Sequence, residues 1–85
     1  DGWESAIKAF ETALKVPGVS AIFARQTRFV LAMAIAADLK AASRTAKYND
    51  ETWHVEAVKK LKRAATLAPS LKSHFEKMVG ELKLK

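Results

Sequence analysis

Residues 3–17 read WESAIKAFETALKVP, and residues 53–69 read WHVEAVKKLKRAATLAP. With Ala6 laid on Ala57, Ile7 falls on Val58, Lys8 on Lys59, Phe10 on Leu61, Ala13 on Ala64 and Val16 on Leu67, and Pro17 and Pro69 close the two stretches one residue out of step. Apolar residues recurring three and four apart mark one face of an α-helix. The alanines on that face let a second helix approach closely while the larger residue between them fills the gap. The pair therefore predicts two matching helices that each pack against a neighbour.

The rest of the chain supplies those neighbours. The first helix is expected over about Gly2–Val16, with Trp3, Ala6, Ile7, Phe10, Ala13 and Leu14 on its apolar stripe and Asp1 with Glu4 as a capping box. Pro17-Gly18 ends it, because proline cannot continue the hydrogen-bond ladder. A second helix starts near Val19 or Ser20 and has nothing to stop it before Lys47. Its middle, FVLAMAIAA at 29–37, is apolar on nearly every face, which predicts a central helix packed on several sides. Tyr48-Asn49-Asp50 is the next polar break, with Asn49 or Asp50 as N-cap for a third helix over Glu51–Leu67. Pro69 closes that helix, and Leu71, Phe75, Met78, Val79 and Leu82 give a fourth over Ser70–Leu82. The fold class is all-α: four helices in one domain over residues 1–85, as antiparallel hairpins or an orthogonal bundle.

Composition narrows the functions. Eighty-five residues make one small domain. The absence of cysteine removes disulfides, thiolate metal sites and a thiol nucleophile together. The run at 29–37 is about half the length a bilayer-spanning helix needs, and Asp38 and Lys40 follow it, so no membrane span is expected. The chain opens on Asp with no charged segment leading into an apolar one, so no signal peptide is read and the chain is taken as an excised or processed piece, placed inside a cell, in cytoplasm or organelle. Net charge is +6, and the half after residue 42 carries ten Lys/Arg against five acids.

The segment from Trp3 to Pro17 resembles the second helix of a tetratricopeptide repeat. Trp3, Ala6, Ile7, Phe10, Ala13, Leu14 and Pro17 stand where that pattern places its aromatic, small and closing residues, with the proline one residue early. Glu56-Ala57-Val58, Leu61, Ala64 and Pro69 form a second copy. The resemblance implies the order second helix, long first helix, second helix, closing helix, and a module that binds other proteins. Two features depart from it. The prolines are 52 residues apart, against a family repeat of about 34, and the Trp-Leu-Gly-Tyr signature is missing, with only Tyr48 near a matching place.

Chemistry-bearing constellations are scarce. His54 and His74 stand on different helices with no acid at ligand spacing, so both are read as solvated surface residues and no metal is expected. Serines and threonines lack a glycine elbow, no glycine loop could cradle phosphate, and Glu4/Glu11 or Glu76/Glu81 are ordinary helix-surface carboxylates. No enzyme activity and no cofactor are expected. Lys59-Lys60-Leu61-Lys62-Arg63 is the densest charge; Lys59, Lys62 and Arg63 share a helix side that Lys40, Arg44, Lys47 or Lys72 would extend. The reading is a protein-interaction or scaffold module, or a small subunit of a larger complex. Arg25, Arg28, Lys59, Lys62 and Arg63 would clamp an acidic or helical partner segment, and Trp3 is either a core anchor or a docking residue. The alternative is nonspecific binding of nucleic acid or an anionic surface through the basic C-terminal half.

Overall fold

A computed structural model describes residues 2–84, and the chain is all-α with four helices: α1 (Gly2–Leu14), α2 (Ala21–Ala42), α3 (Glu51–Leu67) and α4 (Lys72–Glu81). One 3-10 turn, Ala46–Asn49, precedes α3 and another, Pro69–Leu71, precedes α4. The cap expected at Asp1 lies outside the described residues.

Helix ends follow local chemistry. α1 stops at Leu14 rather than Val16 because the amides of Lys15 and Val16 bond back three residues, to Thr12 and Ala13. Gly18 then takes φ +82°, a conformation that glycine adopts without steric cost. Ser20 caps α2, its hydroxyl accepting from the Phe23 amide at 3.1 Å. α2 ends at Ala42 and does not run on to Lys47. There the hydroxyls of Ser43 and Thr45 donate to the carbonyls of Lys40 and Ala42, and Thr45 goes on to cap the first 3-10 turn. Asp50, not Asn49, caps α3 by accepting from Thr52. Pro69 and Ser70 fall in the second 3-10 turn, so α4 starts two residues later than Ser70.

α1 and α3 both run antiparallel to α2: Trp3 lies beside Ala41 and Ala42, and Arg25 and Arg28 lie beside the Thr66–Ser70 stretch. α4 turns back along α3 and so runs parallel to α2, sharing a groove with it. Each helix packs chiefly on its neighbours in the chain. The result is elongated, 42 × 27 × 16 Å. Its Cα radius of gyration is 13.3 Å, against about 12 Å for a compact domain of this length.

The core joins Leu31, Ala32, Ile35, Ala36 and Leu39 of α2, Ala57, Leu61 and Ala64 of α3, Ala68, and Phe75 and Met78 of α4. Ala32, Ala57 and Ala64 have no exposed surface. α1 contributes no fully buried residue and leans on this core through Ile7, Phe10 and Leu14. Arg63 of α3 holds Glu11 of α1 at 2.7 Å, a half-exposed pair that adds at most about 1 kcal/mol. The matched positions of the two copies thus differ in burial. α3 is covered by α2 and α4, whereas α1 packs chiefly on α2, with Glu11 reaching Arg63 of α3.

α4 ends in a Schellman motif: Leu84 donates to the Val79 carbonyl and Lys83 to that of Gly80, while Leu84 packs on the core. Lys83 holds φ +53° there, the left-handed region where glycine is unstrained. Replacing Lys83 with Gly should raise stability by about 0.5–1 kcal/mol in urea unfolding; a lower midpoint would show that the lysine side chain contributes more than the strain it carries.

Candidate docking surface

α2 is too apolar for the neighbours it has. Ile22, Phe23, Phe29, Val30 and Met33 all stand exposed, from 41% at Val30 to 73% at Ile22. At 100° per residue Ile22, Phe29, Met33 and Lys40 fall along one line of the helix, with Val30 and Phe23 beside it. α2 is packed on several sides, as its apolar middle leads one to expect, by α1, α3 and α4, but these neighbours do not cover it all round. In a zigzag of four helices its neighbours cover only part of the circumference, and the remaining arc is open. Contiguous exposed apolar surface of this kind marks an interaction site more often than chance.

Toward its C-terminal half the stripe runs into the groove that α2 shares with α4. Met33, Ala36 and Ala37 form one wall, Met78 and Leu82 the other, and Lys40, His74 and Glu81 stand at the rim. The groove holds about 480 Å³ and is open to solvent, within the range of binding pockets. Alanines on the α2 side keep it deep enough to admit an apolar side chain.

The residues singled out from sequence do not converge on one site. Arg25 and Arg28 flank Phe29 beside the α3–α4 junction. Lys62 lies with Lys72 over a second groove, floored by Leu61 and Phe75. Lys59 pairs with Glu56 at 3.8 Å and Arg63 with Glu11, so two cations of the basic run already face acids. Trp3 lines a fourth groove with Trp53, Asp38, Lys47 and Lys60; the tryptophans that open the two copies, one residue out of step, thus share a groove, Trp53 partly buried against the core and Trp3 44% exposed. Arg44 is exposed near the C-terminal end of α2.

His54 is buried, not solvated. Its Nε2 lies 2.6 Å from the Tyr48 carbonyl, and its ring packs against those of Tyr48 and Trp53. An imidazole that donates from Nε2 leaves Nδ1 as the acceptor, and Nδ1 has no partner. Tyr48 in turn donates its hydroxyl to the Leu82 carbonyl at 2.6 Å, so the first 3-10 turn ties the start of α3 to the end of α4. A hydrophobic-period reading does not find His54, because a polar residue bonded to a carbonyl six positions back leaves no periodic trace. His74 is exposed, as its sequence position predicts. Among the described residues no group of three His, Asp or Glu side chains is placed to hold a metal, and no helix is long and apolar enough to cross a membrane.

No family model, curated protein or solved structure matches the chain.

The Tyr48 latch has a measurable worth. Tyr48→Phe keeps the ring packing and removes one partly buried hydrogen bond, so it should lower stability by about 1 kcal/mol and speed amide exchange at the end of α4 more than in α2. Uniform acceleration across all four helices would mean that the bond supports the whole fold and not the α4 terminus.

Proposed function

We propose that the chain is a non-enzymatic protein-interaction module, a scaffold or a small subunit of a larger complex, and that it docks an apolar helix or extended segment along the open face of α2 and into the groove with α4. The observation that carries this reading is the exposed row Phe29, Val30 and Met33 leading directly into that groove. Each of the three is about two-fifths exposed, so covering all three contributes roughly 3 kcal/mol before ordering costs. That suits reversible docking in which further contacts decide specificity. Arg25 beside Phe29 and Lys40 at the groove rim favour a segment with acidic flanks.

The tetratricopeptide-like reading gives this proposal a frame. α1 and α3 would take the place of second helices, α2 that of a long first helix and α4 that of the closing helix. The parallel course of α2 and α4 and the matched residues of α1 and α3 support that frame. The alternative of nonspecific nucleic-acid binding through the 59–63 run has less support, since Glu56 and Glu11 already engage two of its cations.

Met33→Glu places a charge in the centre of the face without touching the core. Cross-linked recovery of a protein partner from the source lysate should fall at least tenfold, with helicity unchanged. Retention of the same partner by this variant would rule out the α2 face. Recovery of nucleic acid instead, lost on nuclease treatment, would favour the basic-run reading.

A further inference from the structure

The α1–α2 turn forms one end of the molecule, and its chemistry differs from that of the groove. Val16 and Phe23 are about half exposed there, and Ile22 is the most exposed of the large apolar residues. Lys15, Arg25 and Arg28 stand exposed around them, and no ion pair among the described residues engages any of the three. The α3–α4 junction lies alongside, bringing Lys72 and Lys62 to the same end.

Acids are missing from all the chain that builds this end. Residues 12–37 contain no Asp or Glu, and neither do residues 57–75. The nearest acid before the turn, Glu11, is held by Arg63. Separation of charge within the fold thus leaves an apolar tip whose cations Lys15, Arg25 and Arg28 have no ion pair among the described residues.

We propose that this tip docks on an anionic lipid bilayer surface, with Val16, Ile22 and Phe23 entering the headgroup layer and Lys15, Arg25 and Arg28 meeting lipid phosphates and carboxylates. Aliphatic and aromatic side chains backed by Lys and Arg are the combination that holds a protein at a membrane interface. A second copy is a poor occupant, since each copy would bring the same unpaired cations against the other's. Single-stranded nucleic acid is a poor one too. It stacks on several aromatics, whereas this end offers Phe23 and Phe29 among residues that are otherwise aliphatic or cationic. A protein groove can take such a surface as well; the lipid proposal shares Arg25 and the N-terminal end of the α2 stripe with the protein-docking reading, but its apolar contacts are Val16, Ile22 and Phe23 and not Met33 or the α2–α4 groove, so the Ile22/Phe23 and Met33 variants test the two separately.

The test is co-sedimentation of the full chain with vesicles of phosphatidylcholine alone or with about 30% phosphatidylserine. The chain should pellet with the anionic vesicles only. Arg25→Ala/Arg28→Ala should lower the partition coefficient about twenty-five-fold, at roughly fivefold per cation. Ile22→Ser/Phe23→Ser should lower it about tenfold through lost insertion. Arg44→Ala/Lys47→Ala removes the same charge past the C-terminal end of α2, whose last residue, Ala42, is roughly 21 Å along the helix from Arg28, beyond a Debye length, and should change it less than threefold. No pelleting with anionic vesicles would overturn the proposal. So would an equal loss in the Arg44/Lys47 variant, which would indicate diffuse charge, or an unchanged Ile22/Phe23 variant, which would indicate adhesion without insertion.

Discussion

Close approach of α2 to its neighbours through small side chains is the constraint on which the rest of the structure depends. Ala32, Ala57 and Ala64 have no exposed surface, and Leu31, Leu61 and Phe75 fill the space their small size leaves. A larger residue at any of these alanines would separate the helices, and overpacking of that kind costs typically 1–3 kcal/mol. α1 and α4 depend on the position of α2 and α3 in turn: α1 has no buried residue of its own, and α4 is fixed by Phe75, Met78 and the Tyr48 latch to Leu82.

The same constraint leaves α2 incompletely covered. A helix whose neighbours are drawn in by alanines on one side, in a chain of only four helices, has no further element for the arc that carries Phe29, Val30 and Met33. Burial of those side chains is therefore available to something outside this domain, and the proposed docking function follows from that geometry. The membrane proposal has another origin, the absence of acids along two stretches that the fold brings to one end.

Helix number, α3 from Glu51 to Leu67, and the core positions of α3 and α4 were legible in the sequence, because amphipathic stripes, capping Asp50 and the two prolines are local signals. The end of α2 was not. Ser43 and Thr45 look compatible with a continuing helix, and only their hydroxyl bonds to Lys40 and Ala42 show that they close it. The burial of His54 escaped for a similar reason, since its partner is a backbone carbonyl. Which arc of α2 stays open was not legible, because apolar composition reports what a helix can bury and not what is present to cover it. The basic run was visible, but Glu11 reaches Arg63 from a distant part of the chain, a pairing that no local pattern reveals.

The α2 face is open in the isolated chain, and the two methionines test this directly. Met33 is 42% exposed on that face, whereas Met78 is 6% exposed in the core beside it. Limited peroxide oxidation of the folded chain, followed by peptide mass spectrometry, should convert Met33 to sulfoxide well before Met78. Equal protection of the two would mean that α2 is covered, by a closed bundle or by self-association, and would contradict the account.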